Sequence, residues 1–172
     1  LMKKDINVYA LLGDGEIEEG LVWEASEYAA HYKLDNLCIA VDVNGLQIDG
    51  STKDVMNMEP IDEKFEAFGF NVIKIKGADY NELEKAFAFF HACRDSGKPT
   101  VILMTTVKGN GVSYMENQAG WHGKGPNDVE CAKALAEIDA VRRMIESGEE
   151  SGTAYPASFS LTFRTDADGA AH

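Results

Sequence analysis

The sequence predicts an α/β domain, a parallel sheet flanked by helices. Two observations carry that expectation. Short apolar runs without polar alternation recur along the chain, as expected of strands buried on both faces of a parallel sheet. Helix-length segments separate them, and strand–helix alternation of this kind builds a parallel sheet with helices on both faces.

The elements follow in order. Ile6-Asn7-Val8-Tyr9-Ala10-Leu11-Leu12 is the first strand, ending at Gly13 and read as buried on both faces. Residues 16–33 read as a helix with Leu21, Ala25, Tyr28 and Ala29 on its apolar stripe. Glu16, Glu18 and Glu19 crowd its first turn, where the helix dipole favours acids. Residues 37–43 are a second buried strand, and 44–60 a polar loop with Gly45, Gly50 and Pro60. A short helix over 61–68 closes at Gly69, followed by a strand over 71–76 and a helix over 80–95. Ser96-Gly97-Lys98-Pro99 breaks the chain before a β-branched strand over 100–107. A glycine-rich loop covers 108–126, and Asn127 can cap a last amphipathic helix running to about Glu146. Residues 1–147 thus form the domain. Residues 148–172 change in composition and read as a tail, disordered or appended, or as one edge strand on Phe159, Leu161 and Phe163.

Composition narrows the function. The 172 residues are 45% hydrophobic and 26% charged, the balance of a globular α/β protein. No apolar run approaches a membrane span and no secretory signal opens the chain, so a cytoplasmic location is expected. Cys38, Cys93 and Cys131 form no Cys-x-x-Cys pair, which indicates reduced thiols rather than a disulfide framework or zinc site. A net charge of -13 argues against nucleic acid. An anionic ligand would instead need a metal ion, helix N-termini and local cations.

The chemistry centres on Gly13-Asp14-Gly15 and on Asn44, thirty residues after the aspartate. Each follows a strand, so both side chains reach the carboxyl edge of the sheet, where such folds bind ligands. Flanking glycines let Asp14 reach a cation without Cβ clashes. One Asp, one Asn amide oxygen, a carbonyl near Leu46 and two diphosphate oxygens would leave room for a water around an octahedral magnesium ion. A bare Gly-Asp-Gly also makes an ordinary tight turn; the strand before it and Asn44 after it favour the metal–diphosphate reading.

The spacing resembles the thiamine-diphosphate signature, which opens on Gly-Asp-Gly and ends on an Asn. The segments Gly13-Asp14-Gly15-Glu16-Ile17-Glu18-Glu19-Gly20, Asn44-Gly45-Leu46-Gln47-Ile48-Asp49-Gly50, Lys108-Gly109-Asn110-Gly111 and Glu116-Asn117-Gln118-Ala119-Gly120-Trp121-His122-Gly123 resemble transketolase. They are most similar to the amino-terminal subunit of split bacterial transketolases, over roughly residues 5 to 147. The resemblance implies the diphosphate-binding (PP) domain of the thiamine-diphosphate fold. Asp14 and Asn44 would ligate Mg²⁺ (or Ca²⁺ or Mn²⁺) through side chains and Leu46 through its carbonyl. Gly13 and Gly15 would border the diphosphate, with Gly15 approaching through its amide. His122 would touch the diphosphate and face the substrate channel, the catalytic candidate. Glu19 and Glu24 match glutamates of a dimer interface, against the plainer reading of a solvated acidic face. Lys124 could meet an anionic substrate, though a solvated lysine is the simpler reading.

The implied reaction moves a two-carbon ketol unit from a ketose phosphate to an aldose phosphate, as in the pentose phosphate pathway. The family's domain begins well before its Gly-Asp-Gly, whereas a dozen residues precede Gly13 here and the first is Leu1. The expectation is the C-terminal part of a PP domain, inactive without a pyrimidine-domain partner subunit. Exposed apolar surface is expected where missing parts pack. Deoxyxylulose-phosphate synthase, a 2-oxo acid dehydrogenase E1 component and a non-catalytic binding fragment are the alternatives.

Overall fold

A computed structural model describes residues 4–147. The readings made for 148–172 lie outside the described residues. Four parallel strands form the main sheet: β1 (Val8–Gly13), β2 (Leu37–Val43), β5 (Asn71–Lys76) and β6 (Thr100–Thr105). Their order is β1-β2-β6-β5. A two-stranded antiparallel hairpin, β3 (Leu46–Gln47) with β4 (Gly50–Ser51), lies between β2 and β5 in sequence. The helices are α1 (Gly20–His31), α2 (Thr52–Val55), α3 (Ile61–Phe68), α4 (Tyr80–Ala92) and α5 (Asp128–Ser147).

Strand alternation divides the core in two. Ile39 and Val41 of β2, with Val101 and Leu103 of β6, pack with Val22 and Ala29 of α1 and Ile61 and Phe65 of α3. Cys38 and Ile102 point the other way, joining Ile73 and Ile75 of β5 and Ala86 and Phe90 of α4. Phe65 and Phe90 are fully buried, one on each side; truncating such a phenylalanine to alanine typically costs about 3–5 kcal/mol. Burial also pushes the Cys38 thiol up to about 12, so it packs as an inert apolar group.

Four expectations need correction. The first strand is an edge strand among the described residues: it pairs with β2 alone, and Tyr9 (53%) and Leu11 (72%) are exposed. Its continuous apolar character records a strand suited to burial, but among the described residues no strand pairs with its outer edge, though the Phe87 and Phe90 rings of α4 meet Tyr9. The apolar stripe of α1 is also rotated. Leu21, Ala25 and Tyr28 face outward, while Val22, Ser26 and Ala29 are buried. Small residues let the helix sit close to the sheet, and Ser26 is satisfied by donating its hydroxyl to the Val22 carbonyl at 2.7 Å. Finally, Glu16–Glu18 form a separate 3₁₀ turn, so the acids precede α1 rather than occupying its first turn. The expected loop over 44–60 also holds the β3–β4 hairpin and α2.

Asn127 caps α5 as expected. Its Oδ1 accepts from the Glu130 N–H at 2.9 Å, and Glu130 Oε2 accepts from the Asn127 N–H at 2.9 Å, a reciprocal capping box. No helix among the described residues is long and apolar enough to cross a membrane.

Candidate functional site

The carboxyl ends of β1, β2 and β6 meet at one corner. The register pairs Gly13 with Asp42 and Val43 with Thr105. Just past it, the Asp14 N–H donates to the Asp42 carbonyl at 3.1 Å, which fixes Asp14 against β2. Its carboxylate is 4% exposed. Oδ1 accepts from the Gly15 N–H at 2.9 Å and Oδ2 from the Gly45 N–H at 2.5 Å. The second bond closes β1 onto the turn after β2.

Asn44 occupies that turn. Its Oδ1 accepts from the Leu46 N–H at 3.0 Å, and its Nδ2 donates to Asp42 Oδ2 at 3.2 Å. Gly45 has φ +76°, the left-handed region that glycine enters without penalty. Its carbonyl accepts from the Thr52 N–H at 3.0 Å, tying the turn to α2. The two glycines around Asp14 are not equivalent. A Cβ at Gly13 would meet nothing within 4 Å, whereas one at Gly15 would sit 3.1 Å from the Gln47 Cβ. Clearance is therefore required at Gly15 alone, and for Gln47 rather than for the carboxylate. The Gly15 N–H itself is taken by Asp14.

Burial, helped by the neighbouring Asp42 charge, pushes the Asp14 carboxyl above its ordinary range. The backbone N–H groups of Gly45, Gly15 and Asn44 pull the other way. Among the described residues no Lys, Arg or His forms an ion pair with Asp14. A buried, unpaired carboxylate beside a neutral amide oxygen is an all-oxygen donor set that suits a hard divalent cation. The residues present therefore fit a magnesium-class ion.

A cleft of about 470 Å³ opens beside this corner, lined by Gly13, Asp14, Gly15, Asn44 and Leu46, with His122 and Lys108 also on its walls. The glycine-rich loop after β6 supplies the last two. His122 follows a 3₁₀ turn over Ala119–Trp121 and is exposed. The loop is fastened to α5: Ser113 donates through its N–H and its hydroxyl to the two carboxylate oxygens of Glu137, each at 2.7 Å. The Tyr114 hydroxyl donates to the Glu130 carbonyl at 2.6 Å, and Trp121 Nε1 donates to the Tyr114 carbonyl at 3.0 Å. Lys124 Nζ lies 4.4 Å from the Trp121 ring centroid, a cation–π contact.

The structure thus brings Gly13, Asp14, Gly15, Asn44, Leu46 and His122 together. Glu19 and Glu24 stand apart, exposed before and on α1. Glu24 shares its helix face with the exposed Leu21 and Tyr28. Lys108 and Asp42 were missed as site residues. A charged residue at the carboxyl end of the apolar run Leu37-Cys38-Ile39-Ala40-Val41 was the available signal for Asp42.

A carboxylate and an amide at neighbouring parallel strand ends, facing a glycine-rich loop with a lysine and a histidine, make an α/β domain whose ligand cleft lies at its strand edge. Residues 2–143 match the family described as "Transketolase, thiamine diphosphate binding domain", and the chain belongs to that family. It is 43% identical over 131 residues to an apulose-4-phosphate transketolase subunit of Actinobacillus succinogenes, covering 76% of this chain and 46% of that one. It is 37% identical over 132 residues to 6-deoxy-6-sulfo-D-fructose transketolase subunit SqwG of Clostridium sp., covering 77% and 47%. Among solved structures it resembles the transketolase of Campylobacter jejuni, with a TM-score of 0.63 and 29% identity over 84% of this chain and 26% of that one. The chain spans about half the length of the two bacterial subunits it matches.

Proposed function

We propose that this chain is the metal- and diphosphate-holding part of a transketolase, working with a pyrimidine-domain partner subunit on sugar phosphates. One observation carries the reading: the buried, cation-free Asp14 carboxylate and the Asn44 amide share a single cleft with Lys108 and His122. In this reading Asp14 and Asn44 hold Mg²⁺ (or Ca²⁺ or Mn²⁺) through their side chains and Leu46 holds it through its carbonyl. Lys108 and His122 face the diphosphate from the loop, and Gly13 and Gly15 border it. When bound, thiamine diphosphate supplies the carbon nucleophile and electron sink that ketol transfer between a ketose phosphate and an aldose phosphate requires. The protein's part is to hold the cofactor's anionic end, to offset its charge, and to present the His122 imidazole to the substrate side of the cleft.

Assembly belongs to the same reading. Two relatives are named as subunits, which supports a partner chain. The exposed Leu21, Glu24 and Tyr28 face of α1, with Glu19 at its start, is the surface we assign to the dimer of the assembled enzyme. The domain is taken as residues 1–147, with 148–172 as a tail, and the setting as cytoplasmic.

Calorimetric titration of thiamine diphosphate with Mg²⁺ into the chain plus its partner subunit tests the reading. Wild type is expected to bind only when metal is present. Asp14→Ala is expected to lose binding by about a hundredfold or more, as when a metal site loses its one carboxylate. Binding that survives Asp14→Ala would sink the metal assignment.

A further inference from the structure

Asn44 has a problem that its position alone does not solve. An amide side chain can present either its oxygen or its NH₂ to a cation, and only the oxygen ligates. Two contacts fix the flip in the same sense. The Leu46 N–H donates to Oδ1 at 3.0 Å, and Nδ2 donates to Asp42 Oδ2 at 3.2 Å. The Asp42 oxygen takes the amide NH₂, and that contact turns the amide oxygen away from Asp42.

Asp42 is held in turn. Its other carboxylate oxygen, Oδ1, accepts a short hydrogen bond from the Thr106 hydroxyl, which comes from the segment just past β6. The Thr106 N–H is bound to the Val43 carbonyl at 3.1 Å, so that hydroxyl is anchored to β2. The Asp42 carbonyl also accepts the Asp14 N–H at 3.1 Å. One residue in the middle of the sheet edge thus touches both residues proposed to hold the metal through side chains, Asn44 through its side chain and Asp14 through its backbone.

We infer that Asp42 is the positioning residue of the metal site, fixing the amide of Asn44 with its oxygen toward the cation and using Thr106 as its own anchor. This rests on the function proposed above. Groups behind metal ligands act in this way elsewhere, and losing them typically costs about 10–100-fold in metal affinity. Asp42 is assigned no ligand role here: its two carboxylate oxygens are the ones that meet the Asn44 NH₂ and the Thr106 hydroxyl.

The test is Mn²⁺ binding to the full chain, followed by electron paramagnetic resonance of free Mn²⁺, with and without thiamine diphosphate. Asp42→Ala is expected to weaken Mn²⁺ binding about 10–100-fold. Asp42→Asn is the discriminating variant. Its amide oxygen can still accept from Asn44 Nδ2, and its NH₂ can donate to the Thr106 hydroxyl. Positioning predicts that it stays within about threefold of wild type, since one neutral hydrogen bond replaces a charged one. Equal losses in Asp42→Asn and Asp42→Ala would show that charge, not orientation, is at work, and would overturn the inference. Full affinity in Asp42→Ala would overturn it as well. If Asp42→Ala does not fold, Thr106→Val removes only the anchor and is expected to weaken binding by about threefold to tenfold; unchanged affinity there overturns the inference. Wild type that binds no Mn²⁺ in either condition even with the partner subunit added overturns the proposed function along with it, whereas wild-type binding matched by Asp42→Ala overturns the inference alone.

Discussion

The Asp14–Asn44 corner and the glycine-rich loop face each other across one cleft, yet they are held by different means. The corner is bonded into β1, β2 and the end of β6, and its key carboxylate is 4% exposed. The loop returns from β6 and is fastened to α5 by Ser113 and Tyr114, and its His122 is exposed. Only Ala134 of α5 is buried, while Val129, Leu135 and Ile145 are exposed. One wall is set by the sheet, and the other is as firm as a largely surface-borne helix makes it. Metal retention is therefore expected of the corner, and grip on the rest of the ligand from the loop.

Replacing a loop cation is the most direct way to separate the two. Lys108→Ala is expected to weaken thiamine-diphosphate binding by about 10–100-fold, the loss of a charged hydrogen-bonding group, while Mn²⁺ affinity without cofactor stays at wild type. Equal loss of both would mean the walls are one unit. Calorimetry and manganese titration on the same variant decide it.

A smaller effect is expected where loop meets helix. Hydrogen bonds from Ser113 hold the Glu137 carboxyl below its ordinary range. A carboxylate depressed in the folded state contributes stability above its ordinary value, and that contribution disappears as pH falls through the depressed value. The clamp is thus closed at neutral pH and opens in acid. Glu137→Gln should relax it at pH 7 and lower cofactor affinity about threefold, the scale of one exposed hydrogen bond. Hydrogen exchange at the Ser113 amide checks this: protection should fall in wild type as pH drops below the ordinary carboxylate range and be lower at neutral pH in the variant.

The smallest effect lies on the sheet side, away from both walls. Lys74 Nζ is 2.6 Å from Asp62 Oδ2, and chiefly this contact lowers the Asp62 carboxyl. Lys74 is half exposed, so Lys74→Met should cost only about 0.5 kcal/mol. By the same sign argument the pair stabilises above about pH 3.9, and the difference between variant and wild type should vanish in acid. Urea unfolding at neutral and acid pH measures it, with cofactor affinity unchanged.

How much of this was legible varied with how local the signal was. The corner was readable because strand, glycine and polar side chain fall within a few residues of one another, and the order of strands and helices places both halves at one edge. Asn127 was readable for the same reason, since a capping box is written in four residues. His122 was reached only through resemblance: no local pattern says that a histidine in a long loop returns to the edge it left. Asp42 meets a partner distant in sequence, Thr106 lying 64 positions away, and Lys108 reaches the cleft wall from a loop. On α1 the apolar spacing pointed to Leu21, Ala25, Tyr28 and Ala29; of these only Ala29 is buried, and Val22 and Ser26 join it. An apolar stripe records where a helix meets something, which need not be its own core.

The outer side of β1 has a colloidal consequence. Val8, Tyr9 and Leu11 lie along a parallel strand that pairs on one side only among the described residues, and such an edge is a template for any passing strand, another copy of this chain included. The net charge of -13 opposes that encounter, because like-charged molecules repel over roughly 10 Å at 0.1 M salt and less as salt rises. The acidity of the chain therefore acts as a dispersant, and ionic strength sets how well it works.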